Sequence, residues 1–189
     1  MMRQELERKF YLRHFKVISH AISTYDDLSV LTNHLAEGTS RRFKAKGCAI
    51  MLLDERDHQL YHVSNYGISE EYLNKGPIFL NEKHCAIYKG EPIFVEDMQK
   101  DHRVQYPQAA AKEGIVSMLS IPIKCRQAII GVLRIYYDKP IRIHDEDIDT
   151  LCVMSEHLGL VIENNGLKNF LEGVKTALES LPPRMLKGL

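Results

Sequence analysis

No tryptophan, no CxxC pair and no apolar run long enough to cross a bilayer occur in this sequence, and its net charge is zero. Each absence excludes something. With 25 basic side chains balancing 25 acidic ones, there is no broad positive field of the kind that holds nucleic acid or an anionic membrane, so neither is expected as a partner. Cys48, Cys85, Cys125 and Cys152 are widely spaced, which rules out reading a zinc ribbon or a thioredoxin-type dithiol and suits a reducing compartment. CAIMLL and AIIGVL are far too short to span a membrane, and MMRQELERKF is charged throughout and lacks the apolar core of a signal peptide. A cytoplasmic protein is expected. There is no GxSxG elbow, P-loop, HExxH or glycine-rich dinucleotide fingerprint. Asp54-Glu55 and Asp145-Glu146-Asp147 read as turn and capping residues, so no catalytic residue and no metal site is assigned, and the protein is not read as an enzyme.

What is present is one domain's worth of patterned chain. At 189 residues, 44% of them apolar, the sequence can bury a core without disulfides or metals. Leu6, Phe10, Val17 and Ala21 recur at helical spacing and predict an amphipathic helix over residues 1–24. A second helix is expected from Asp26 or Asp27, whose carboxylates can cap it, through Leu28, Leu31 and Leu35 toward Phe43. Cys48–Leu53 and Gln59–Tyr66 suggest a hairpin around Asp54-Glu55-Arg56-Asp57. A short extended piece at Ile78–Leu80, a helix capped by Asn81, a minimal strand at Ile93–Val95 and a mostly helical crossover from Asp97 to Lys112, interrupted by Pro107, come next. Val116–Ile123 and Ala128–Tyr137 are the clearest strands and are expected as central antiparallel neighbours.

The acids at 145–147 open a long helix carrying Ile148, Leu151, Leu158 and Ile162. Beyond Asn164-Asn165-Gly166, Leu167, Leu171, Val174, Leu178 and Leu181 repeat at four-three spacing until Pro182-Pro183, a short coiled-coil seam. The expected fold is α+β: a central antiparallel sheet, terminal helices on one face and a crossover covering the other. Residues 25–164 form the domain, and 165–189 a helical extension and tail.

CAIMLLDE (48–55), SNYGISEEYL (64–73), GEPIFVED (90–97), EGIVSMLSIPI (113–123), IIGVLRIYY (129–137) and DEDIDTLCVMSEHLGLVIEN (145–164) together resemble the GAF domain family. Their order carries the resemblance more than any one piece. It implies a ligand cavity between one sheet face and the crossover, dimerisation through the flanking helices, and a sensory role in signal transduction; it names no ligand and no cofactor. The cyclic-nucleotide pattern of the family is matched by Asn74-Lys75 and Phe94, but Asp97 is followed by Met98. Bilin-binding relatives use Cys followed by His, reversed here as His84-Cys85, and Cys48, Cys85 and Cys125 do not match the cysteine cluster of the free methionine sulfoxide reductases.

A charge within an apolar central strand must be paired, hydrated or ligand-bound, so Arg134 either pairs with a carboxylate such as Asp97 or receives an anionic ligand. Tyr66, Tyr106, Tyr136, Ser117 and Ser120 either line the cavity with hydroxyls or are core residues with satisfied partners. Cys85 lies in the crossover after Asn81, with His84 beside it and His102 further along, too few ligands for a metal. The ligand-binding set expected from sequence is thus Tyr66, Cys85, Asp97, Tyr106, Ser117, Ser120, Arg134 and Tyr136, under a lid from Pro77 to Ile115. The expectation is a homodimeric small-molecule sensor without an output domain, acting through a separate signalling protein. A thiol reductase and a dimeric scaffold with a vestigial pocket are the alternatives.

Overall fold

The computed structural model describes residues 27–80 and 86–179. The amphipathic helix expected over residues 1–24 lies outside the described residues, as do Asn81, His84 and Cys85.

Helix α1 (Leu28–Arg42) begins at Asp27, whose carboxylate accepts the Ser29 N–H at 2.8 Å and the Val30 N–H at 3.4 Å, satisfying donors that the first turn leaves without partners. Strands β1 (Gly47–Asp54) and β2 (Gln59–Tyr66) form the hairpin. One-turn α2 (Glu70–Leu73), two-residue β3 (Ile78–Phe79), short α3 (Ala86–Lys89) and β4 (Ile93–Val95) precede the second long hairpin. Helix α4 (Pro107–Glu113) leads into it, with β5 (Ser117–Cys125) and β6 (Ala128–Tyr137) as its arms. Helix α5 (Asp145–Glu179) runs unbroken through Asn164-Asn165-Gly166.

All strand pairs are antiparallel, in the order β3-β2-β1-β6-β5-β4. The long crossover between β4 and β5 is less helical than its composition predicts. Residues 97–106 form turns, and Pro107 starts α4 instead of interrupting a helix, because proline has no amide donor and its fixed φ suits a first helical position. Gly114, at φ 74°, ends α4 in the left-handed region.

Side-chain alternation divides the interior into two layers. Cys48, Ile50, Leu119, Ile121, Leu133 and Ile135 pack under α1 and α5. Ala49, Met51, Met118, Val132 and Tyr136 face the other way, toward the crossover. Both terminal helices therefore cover one face and the crossover segments the opposite one. Among the described residues no helix is long and apolar enough to cross a membrane.

Helix α5 meets β5 at backbone distance: a Cβ on Gly159 would stand 2.0 Å from the Lys124 carbonyl oxygen. Gly166, further along the same helix, has nothing within 4 Å of its Cβ position. Gly159→Ala is expected to lower unfolding stability by about 1–3 kcal/mol through overpacking, despite alanine's better helix propensity. Gly166→Ala is expected to raise it by roughly 0.5–1 kcal/mol. Urea unfolding of the two variants side by side checks the opposite signs.

Candidate functional site

The register of the sheet builds the floor of a cavity. Ile93 pairs with Ser120, Ser120 with Arg134, Arg134 with Ala49, and Ala49 with Asn65. Opposed residues in antiparallel strands share a face, so these five form a row across the crossover side. Arg134 thus stands between two small neighbours, Ser120 and Ala49, and of this row Ile93, Ser120 and Arg134 line a cavity. The cavity there has a volume of ≈ 70 Å³, room for about five to seven water-sized groups.

The cover comes from segments that tie to one another. The Tyr106 hydroxyl donates to the Pro77 carbonyl at 2.7 Å. Gln105 clamps the backbone of Phe79, its Oε1 accepting the N–H at 3.1 Å and its Nε2 donating to the carbonyl oxygen. Arg103 donates to Asp101 and, at 3.1 Å, to the Phe94 carbonyl. Gly76 is required under this cover: at φ 128° a Cβ would lie 2.7 Å from the Tyr106 hydroxyl oxygen. Apolar walls come from Ile78, Val95, Met98, Val104 and Met118.

Three cations line this space, Lys75, Arg103 and Arg134, and no carboxylate does among the described residues. Arg103 is committed to Asp101. Lys75 donates to the Tyr72 carbonyl at 3.0 Å and sits 4.0 Å from the centre of the Tyr72 ring. Burial, with the nearby Arg134 charge, lowers its pKa to about 8. Burial, with Lys75 and Arg134, likewise lowers His62 to about 4, and neither of its buried ring nitrogens has a hydrogen-bond partner. His62 is opposed to Met51 and shares its side of the sheet. Glu113, the carboxylate that acts on Lys75 from α4, accepts the Ser69 N–H at 3.1 Å and also the Ser69 hydroxyl.

Of the residues expected from sequence, Tyr106, Ser120 and Arg134 line the cavity. Tyr136 lies on the same side, its ring edge-on to Tyr72 at 5.8 Å; burial raises its pKa, and the charge of Arg134 and a side-chain contact with that guanidinium oppose the rise. Ser117 and Tyr66 are elsewhere. Ser117 has the parity of Leu119 and Ile121, and its hydroxyl donates to the Lys139 carbonyl at 2.8 Å. Tyr66 is opposed to Cys48, packs with the helix layer, and lies under Arg41 at 5.6 Å. Asp97 caps its own turn, accepting the Gln99 and Lys100 N–H groups and pairing with the Lys100 ammonium at 3.0 Å. It is therefore not the partner of Arg134, and no other described carboxylate takes that place. Cys85 lies outside the described residues. Lys75 and Met118 were not in the expected set. The parity of β5 would have given Met118 together with Ser120, whereas Lys75 reaches the site only through the chain reversal at Gly76-Pro77.

The lowered Lys75 pKa carries a stability prediction. The folded protein releases this proton near pH 8, while the unfolded chain holds it to the ordinary value of 10.5. The unfolded state thus binds more protons between those values, and stability rises with pH across that window. The cost is fully present below pH 8. Urea unfolding of wild type and Lys75→Met from about pH 7 to 10 is expected to show the gap between them closing as pH rises.

Several solved structures share this architecture at low sequence identity. The GAF domain of an Acinetobacter phosphoenolpyruvate-protein phosphotransferase superposes with TM-score 0.71 at 19% identity, covering 84% of this chain and 96% of that one. Its Coxiella burnetii counterpart gives 0.74 at 16%, covering 84% and 95%. A free methionine-R-sulfoxide reductase from Neisseria meningitidis, solved with its substrate, gives 0.68 at 16%, covering 88% and 99%. At these identities the likeness shows the fold. No curated protein matches the sequence. The GAF domain family model matches residues 27–162, the stretch that forms the sheet, its cover and the helices behind it, and the chain belongs to the GAF domain family.

Proposed function

We propose that this protein is a small-molecule-binding sensory module that performs no chemistry on its ligand, works as a cytoplasmic homodimer and signals through a separate partner. The observation that carries the reading is the covered cavity over Arg134. It is walled by apolar side chains and floored by polar groups that lack protein partners, the combination expected where a few polar atoms orient a bound molecule. A vestigial pocket would more readily have been filled by side chains, since the void and its unpaired polar groups both cost stability.

The reductase alternative is weakened by where the three described thiols lie. Cys48 and Cys152 belong to the helix-side layer, and the Cys125 thiol donates to Glu163 of α5 at 3.0 Å. Burial pushes the Cys48 and Cys152 thiols up, and the bond to Glu163 does so at Cys125, which disfavours the reactive thiolate. All three are on the side of the sheet away from the cavity.

Dimerisation is supported by the second half of α5, where Leu167, Phe170, Leu171 and Val174 are exposed. A second copy packed on this stripe would bury it as a coiled-coil seam. Strand β5 offers a route for the signal. Ser120 and Met118 touch the cavity while Leu119 and Ile121 underlie the helices, so a ligand that tightens one face biases the packing of the other.

Two measurements test these points. Native mass spectrometry and thermal shift against a metabolite panel are expected to reveal a ligand that stabilises wild type and is lost in Val104→Trp, which fills the cavity. If wild type and Val104→Trp both bind nothing, the scaffold reading replaces the sensor. Sedimentation of Leu171→Glu is expected to give a monomer with its melting curve little changed; a persistent dimer would place the interface elsewhere.

A further inference from the structure

We propose that the cavity floor is a carboxylate site, in which Arg134, Lys75 and Ser120 receive the carboxylate of a small molecule whose compact apolar body fills the space toward Ile78, Val104 and Met118. This rests on the sensor reading above and specifies its ligand class. The guanidinium of Arg134 stands on the central strand beside the Tyr136 hydroxyl, its Nε is buried and unpartnered, and no described carboxylate pairs with it. Directly across from it on β5, Ser120 is 3% exposed, lines the cavity, and has a hydroxyl with no hydrogen-bond partner. Lys75, which also lines the cavity, adds a second positive charge, with one of its three N–H donors used by the Tyr72 carbonyl.

Two cations and an unsatisfied hydroxyl surround one space without an acidic side chain among the described lining; Glu113 acts on Lys75 from α4 but is bonded to Ser69, and Arg134 is left without a described carboxylate. A planar fork beside a hydroxyl matches the two oxygens of a carboxylate. A phosphoryl group would call for more donors, commonly a nest of backbone N–H groups or the start of a longer helix. Such a ligand would offset the like-charge pressure between Arg134 and Lys75.

The test uses the intact protein and three probes at millimolar concentration: hexanoate, its neutral isostere hexanamide, and inorganic phosphate, followed by protein-observed NMR. Hexanoate is expected to bind roughly ten-fold or more tighter than hexanamide and to outcompete phosphate. Arg134→Met is expected to lose about that factor for hexanoate, leave hexanamide unchanged, and raise the melting temperature of the ligand-free protein, because an unpaired charge is removed. Equal binding of hexanoate and hexanamide, or hexanoate binding indifferent to Arg134→Met, overturns the carboxylate site. Stronger binding of phosphate overturns it in favour of a phosphorylated ligand. If hexanoate and hexanamide bind wild type equally and neither binds Val104→Trp, the cavity reading survives while the carboxylate inference fails. If no probe perturbs the cavity residues, the carboxylate site is refuted, and the metabolite panel decides the sensor reading separately.

Discussion

Both faces of β5 and β6 are buried, and the rest of the molecule follows from that constraint. A strand covered on two sides must put apolar residues at both parities, and these two do so almost throughout: Leu119, Ile121, Leu133 and Ile135 toward the helices, Met118, Val132 and Tyr136 toward the crossover. Between Met118 and Pro122 on the crossover side the exceptions, Ser120 and Arg134, are directly opposed, so the polar interruption of that face is one local feature. Burying a charge and a hydroxyl without partners opposes folding. The fold tolerates them because the cavity leaves room for both to be solvated.

The cation field around Arg134 links otherwise separate observations. Burial comes first in lowering both Lys75 and His62, and in each case a neighbouring cation adds to it. A region that depresses protons on nearby bases is one that an anion would relax. The cover is fastened to itself at Gln105–Phe79 and Tyr106–Pro77 and not to the cation floor. Its closure therefore does not depend on neutralising Arg134, and the charged floor remains available to what enters.

Gly159 plays the corresponding part on the other face. Its missing side chain lets α5 lie against the Lys124 carbonyl, which fixes the helix to the hairpin arm carrying Ser120. The same helix continues as an exposed apolar stripe from Leu167 to Val174. Cavity, strand and stripe are thus joined through one hairpin arm and one helix.

The sequence by itself determined the order of elements, the antiparallel β5–β6 hairpin, the terminal helix and the oddity of Arg134. These rest on local periodicity, capping and charge, which are properties of neighbouring residues. Asp27 at the start of α1 and the acids at 145–147 are legible because helix ends select such residues within a turn. Tertiary structure alone decided which tyrosines and serines share the cavity. Ser117 and Ser120 differ in parity, and Tyr66 faces the helices because a register shift between Ile50 and Met51 sets the pairing of β2. It alone also showed that Asp97 is spent on Lys100 and its own turn, and that Lys75 lines the same cavity as Arg134. Those outcomes depend on strand register and on a chain reversal at Gly76-Pro77, where contacts join residues far apart in sequence and no local pattern records the partner.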